Sequence, residues 1–109
     1  MKTIKSRKEF EKVFVRGKRL NDPLLRIRVL KDDEGGLDKV AFVAPKRLGN
    51  AVFRNRCKRV LRESARECGL PISGTDIILF ATRETHDATP HDVSKSLMKL
   101  LSKAGVSRG

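Results

Sequence analysis

No apolar run in this 109-residue chain approaches the roughly 20 residues that span a bilayer, and the opening MKTIKSRKEF lacks the apolar stretch of a signal peptide. The expectation is a cytoplasmic protein with no membrane partner. Cysteine is scarce: Cys57 and Cys68 stand 11 residues apart, and on one helix that separation is roughly 16 Å, far too long for a disulfide. Two cysteines at this spacing fall short of a zinc set, and His86 and His91 match no ligand motif, so all four read as structural or incidental. There is no P-loop, no GxSxG and no HExxH, and the carboxylates are scattered among basic residues as salt-bridge partners would be. A protein carrying its own active site or metal centre is disfavoured; no internal repeat or low-complexity tail is visible, and residues 1–109 read as one domain.

Acidic residues are also in deficit, with 13 against 25 Lys and Arg, for a net charge of +12. The excess is concentrated. Residues 1–45 carry a net +5, residues 46–68 a net +6 and residues 69–109 a net +1. Half of it therefore lies in KRLGNAVFRNRCKRVLRESAREC. At about 100° per residue, Phe53, Cys57, Val60, Leu61, Ser64 and Cys68 fall on one side of a helical wheel. Asn55, Lys58, Arg59, Arg62 and Arg66 fall on the other, with Arg54 and Arg56 on the flanks. Asn50, after Gly49, is placed to cap the helix start, and Gly69 with Pro71 to end it. A merely solvated helix face mixes signs to gain i,i+4 pairing, yet the six basic residues from Arg54 to Arg66 meet only Glu63. Such a face asks for an anionic partner, nucleic acid above all.

The rest of the chain supplies a scaffold. Ser6 and Glu9 predict a capping box, followed by Phe10, Val13 and Phe14 at helical spacing and a stop at Gly17. Leu24–Leu30 alternates, with Leu25, Ile27 and Val29 on one face and the cations Arg26 and Arg28 on the other, as in a half-buried strand. Asp32, Asp33 and Glu34 beside Gly35-Gly36 predict a solvated hairpin loop rather than a metal site. Lys39–Ala44 reads as a second strand ended by Pro45, and Asp76–Ala81 as a central strand covered on both faces. Thr89 and Pro90 open a last helix with Val93, Leu97, Leu100, Leu101 and Ala104 inward. The order predicts an α/β sandwich with one sheet, in which residues 39–82 form a crossover between parallel strands.

The run from Pro45 to Glu63, centred on Arg54-Asn55-Arg56 and continued by Lys58-Arg59 and Arg62-Glu63, resembles the signature of the bacterial ribonuclease P protein subunit. Phe10-x-x-Val13-Phe14-x-x-Gly17, Val40–Ala44, Asp76-Ile77-Ile78 and the Leu-rich last helix extend the resemblance along nearly the whole chain. It implies an αβββαβα fold of ribosomal-protein type, with an extra strand near Lys18–Asn21 and a left-handed βαβ crossover, contrary to the usual hand.

The same resemblance implies that Lys46, Arg47, Asn50, Arg54, Asn55, Arg56, Lys58, Arg59, Arg62 and Arg66 face a catalytic RNA subunit. It implies that Phe10, Phe14, Arg26 and Arg28 line a cleft for the single-stranded 5′ leader of precursor tRNA, although the same Phe pair serves core packing equally well. Catalysis would belong to Mg²⁺ held by the RNA, with no organic cofactor and no obligate protein partner. Two positions depart from the family pattern. No Tyr is present, so Arg28 stands where the cleft often has a strand aromatic, and Pro45 stands where Ser is common. The rival readings are a ribosomal-type RNA-binding protein without a processing role and an autonomous nuclease.

Overall fold

A computed structural model describes residues 3–31 and 37–106, so the predicted loop at Asp32–Gly36 lies outside the described residues. The elements are α1 (Arg7–Arg16), β1 (Lys18–Asn21), β2 (Leu25–Lys31), β3 (Val40–Val43), α2 (Ala51–Glu67), β4 (Thr75–Ala81) and α3 (Pro90–Lys103), with single 3₁₀ turns at Lys46–Leu48 and Arg83–Thr85. This is the αβββαβα order. The extra strand is where the resemblance implied it.

The four strands form one mixed sheet in the order β1-β2-β4-β3, with β3 and β4 parallel and the other pairs antiparallel. Strand pleat then divides the side chains between two layers. Leu25, Ile27, Val29, Ile77, Leu79 and Val40 face α2 and α3 and join Cys57, Val60, Leu61, Val93 and Leu97 in the main core. Ala41 and Ile78 point the other way and meet Val13 of α1 in a smaller core. Because β4 is flanked by strands on both edges and by helices on both faces, its residues from Thr75 to Leu79 are all buried. The continuous apolar run required that position.

Two local expectations need correction. The link between β2 and β3 is not a hairpin, because β4 lies between them and pairs with both. Nor does a full capping box form at α1. The Ser6 side chain accepts from the Glu9 backbone N–H at 3.4 Å, but the Glu9 carboxylate turns to Lys39 Nζ, 2.9 Å away. A charged donor outcompetes the backbone N–H that the box would have used. That pairing holds the Lys39 ammonium pKa above its ordinary value. Gly17 ends α1 as expected, for a steric reason: a Cβ there would lie 2.4 Å from the Val13 carbonyl oxygen.

Candidate nucleic-acid interface

The basic segment folds as a 3₁₀ turn and then α2, with Asn50 as the hinge between them. Asn50 Oδ1 accepts from Phe53 N at 2.9 Å, so its cap function is filled and its amide N–H₂ group is what remains for a partner. Cys57, Val60, Leu61, Ser64 and Ala65 are buried beneath the helix. Asn55, Arg59, Arg62 and Arg66 recur at i, i+4, i+7 and i+11 and are all exposed, as are Lys46, Arg47 and Arg56. Lys58 and Arg54 are half-buried, because Ala65 widens the apolar stripe toward them.

Several of these cations are held in place. Arg56 Nε donates to the His86 carbonyl at 2.8 Å, and the His86 ring stacks on Phe53 at 4.1 Å and 3°. The sequence reading gave His86 no part; its role comes from a turn 30 residues away in the chain, which no local pattern marks. Arg62 reaches back over Phe42, with 5.5 Å between the guanidinium carbon and the ring centroid. Arg54 Nε is buried and has no hydrogen-bond partner among the described residues.

On the opposite layer, α1 covers only part of the sheet. Between its C-terminal end and the strands lies a cavity of about 300 Å³ lined by Phe14, Arg19, Arg26, Arg28, Arg47 and Phe80 among others. Strand register explains the clustering: Arg28 sits opposite Arg19, and Arg26 sits opposite both Asn21 and Phe80, so all point to the α1 side. Directly opposed like charges destabilise a strand pair. Burial, and then Arg19, push the Arg28 pKa down. The arrangement is electrostatically unfavourable until an anion enters.

Of the predicted cleft residues, Phe14, Arg26 and Arg28 come together here. Phe10 is not in the lining; it is half-buried against the small core, and its ring runs nearly parallel to that of Phe14 at 6.2 Å. Phe14 is 41% exposed. One of its faces is covered by the Arg28 guanidinium at 4.1 Å, and Phe80 meets it edge-on at 6.1 Å. Phe80 and Arg19 escaped the sequence reading, since only the register reveals which side of the sheet they share. Arg47, assigned to the helix surface, stands instead on the lip of this cavity.

An α+β domain with a one-sidedly cationic helix and an arginine-lined cleft belongs to the class of RNA-binding proteins. The family model for Ribonuclease P matches residues 1–105. The ribonuclease P protein component of Gluconacetobacter diazotrophicus is 37% identical over 105 residues, covering 94% of this chain and 90% of that protein. That of Bacillus cereus is 33% identical over 106 residues, covering 96% and 92%. The solved RNase P protein of Staphylococcus aureus superposes with a TM-score of 0.76 at 28% identity, covering 97% of each chain. The chain belongs to the ribonuclease P protein family, as the resemblance in its basic segment indicated, and its role is that of a ribonuclease P subunit in tRNA processing. No helix among the described residues is long and apolar enough to cross a membrane.

Proposed function

We propose that this chain grips the catalytic RNA of ribonuclease P with α2 and receives the 5′ leader of precursor tRNA in the cavity between α1 and the sheet. The observation that carries this reading is the separation of two cationic surfaces on opposite layers of one sheet. A single-surface RNA-binding protein would need only the first. On the α2 side, Lys46, Asn50, Arg54, Asn55, Arg56, Lys58, Arg59, Arg62 and Arg66 supply donors to phosphate and ribose. In the cavity, Arg19, Arg26 and Arg28 meet leader phosphates. Since one face of Phe14 is already covered, we assign the stacking surface to the outer face of the Arg28 guanidinium plane, backed by the ring.

Among the described residues no three His, Cys, Asp or Glu side chains gather into a set able to hold a metal ion. In this reading the Mg²⁺ that supports hydrolysis is held by the RNA, and the protein contributes affinity and a positive field within a cytoplasmic ribonucleoprotein that needs no second protein. The test is to measure the affinity of leader-bearing and mature tRNA for the RNA subunit with and without the protein. The protein should tighten binding of the precursor far more than that of the mature form. Equal tightening of both would contradict the leader assignment.

A further inference from the structure

Arg56 is fixed from outside its own helix. Its Nε–H donates to the His86 carbonyl at 2.8 Å, and its two terminal Nη groups make no hydrogen bond or ion pair among the described residues. The guanidinium is thus held along one edge and open at its end. A planar fork mounted in this way presents two parallel donors in one direction, whereas a mobile arginine would sweep many.

The acceptor belongs to a braced turn. Thr82 Oγ1 donates to the Pro23 carbonyl and Thr85 Oγ1 to the Leu24 carbonyl, both at 2.6 Å, and Thr85 is fully buried. His86 N closes the 3₁₀ turn by donating to the Arg83 carbonyl at 3.3 Å. The His86 ring then joins this turn to α2. It lies parallel to the Phe53 ring, with 4.1 Å between centroids and 3° between planes, and its Nδ1 is hydrogen-bonded to Asp87 Oδ1 at 2.8 Å. Phe53 is itself anchored. Its N–H donates to Asn50 Oδ1 at 2.9 Å, and its ring sits so near Gly49 that a Cβ there would stand 3.0 Å from it. Phe53 and Arg56 are i, i+3 neighbours on the helix, so the ring and the carbonyl of one residue, His86, hold both.

We propose that His86 is a positioning residue: by stacking on Phe53 it seats its own carbonyl against Arg56 Nε and aims the open end of the Arg56 fork at a phosphate of the RNA subunit. The inference rests on the reading that α2 grips the catalytic RNA, and it adds to that grip a residue outside the basic segment. His86 acts only through Arg56. A side chain already ordered in the free protein loses less conformational freedom on binding, so releasing it shows as lost affinity.

The test measures affinity for the RNA subunit across a salt series, with thermal melts to confirm folding, for His86→Ala, His86→Phe, Arg56→Ala, Arg56→Lys and the double variant His86→Ala with Arg56→Ala. Arg56→Ala should weaken binding and flatten the salt slope by about one. His86→Ala should weaken binding about fivefold with the slope unchanged, because the charge remains and only its orientation is lost. His86→Phe keeps a flat ring on Phe53 and should recover most of that loss. Once Arg56 is replaced by Ala, His86→Ala should cost nothing further. Arg56→Lys keeps the charge without the Nε–H that meets the carbonyl, so it should resemble His86→Ala; it leaves the turn untouched and decides the matter if His86→Ala does not fold. A His86→Ala loss that persists in the Arg56→Ala background, or no rescue by a folded His86→Phe, would overturn the positioning role. Wild-type affinity in a folded His86→Ala or in Arg56→Lys, with Arg56→Ala still weak, would overturn it too and leave the α2 reading standing. Unchanged affinity in Arg56→Ala would count against the α2 reading itself.

Discussion

The Arg28 guanidinium lies over the Phe14 ring at 4.1 Å and donates a hydrogen bond to the carbonyl oxygen of the same residue. One arginine thus braces both the side chain and the backbone of the aromatic residue that lines the cleft. Arg28→Ala should leave assembly with the RNA subunit intact and lower precursor affinity by roughly 5- to 150-fold, the range of one stacking or charge contact to single-stranded RNA. Mature tRNA should bind the variant and wild-type complexes alike. Parallel titrations of both substrates check it. Phe14→Ala is a second probe, and because Phe14 is 41% exposed its stability cost should fall below the roughly 3 to 5 kcal/mol of a core Phe→Ala change.

On the α2 side, Arg54→Ala with Arg56→Ala should weaken RNA-subunit binding and reduce the slope of log affinity against log salt by about one per lost phosphate contact. The fold should survive. Removing Arg54 deletes a buried N–H that has no partner among the described residues, which relieves them of an unsatisfied group. Affinity measured over a salt series, with circular dichroism as the control, checks both parts; unchanged affinity in a folded double variant would dismiss this face.

The thiols offer a test of packing. Cys57 and Cys68 are both buried and are not bonded to one another as a disulfide, and burial pushes the Cys57 thiol pKa up. Neither should react with a thiol reagent until the protein unfolds. Cys57→Val should cost less than about 1.5 kcal/mol and leave activity near wild type. Cys68→Ala should cost more than Cys57→Ala, because the Cys68 thiol donates to the Ser94 carbonyl at 3.3 Å and ties the end of α2 to α3.

A pH dependence follows from the neighbouring pair. Glu67 Oε1 is 2.6 Å from His91 Nδ1, and this hydrogen bond, helped by Ser94, holds the Glu67 carboxyl below its usual range. A lowered carboxylate pKa stabilises the fold fully above the ordinary value and loses that contribution as pH falls through the lowered one. Wild type should therefore be slightly more stable than Glu67→Gln near neutrality, and the difference should vanish in acid well below the ordinary carboxylate pKa. Thermal melts of the two proteins across that range check the sign. A difference that grows in acid would contradict it.

Much of this was legible in the chain. The two faces of α2 follow from residue spacing, and the central place of β4 from an apolar run with no polar alternation. β1 was not, because Lys18, Arg19 and Asn21 are exposed and only Leu20 is half-buried, leaving no periodicity to read. The β2–β3 link reads as a hairpin locally, since nothing near it announces that a strand some 40 residues later will insert between the two. Phe10 and Phe14 share a helical spacing, yet Phe10 backs onto the small core while Phe14, one turn nearer the end of α1, overlooks the cleft. Phe80 is hidden inside an apolar run, and only its pairing with Arg26 shows that it faces the arginines.

The central claim is that this protein acts through a catalytic RNA rather than by chemistry of its own. It is tested most directly by precursor tRNA cleavage at a Mg²⁺ concentration too low for the RNA subunit alone. Adding the purified protein should restore cleavage at the mature 5′ end, and the protein without RNA should leave the precursor intact. Cleavage by the protein alone at that position, or no rescue by a protein that binds the RNA, would contradict the account.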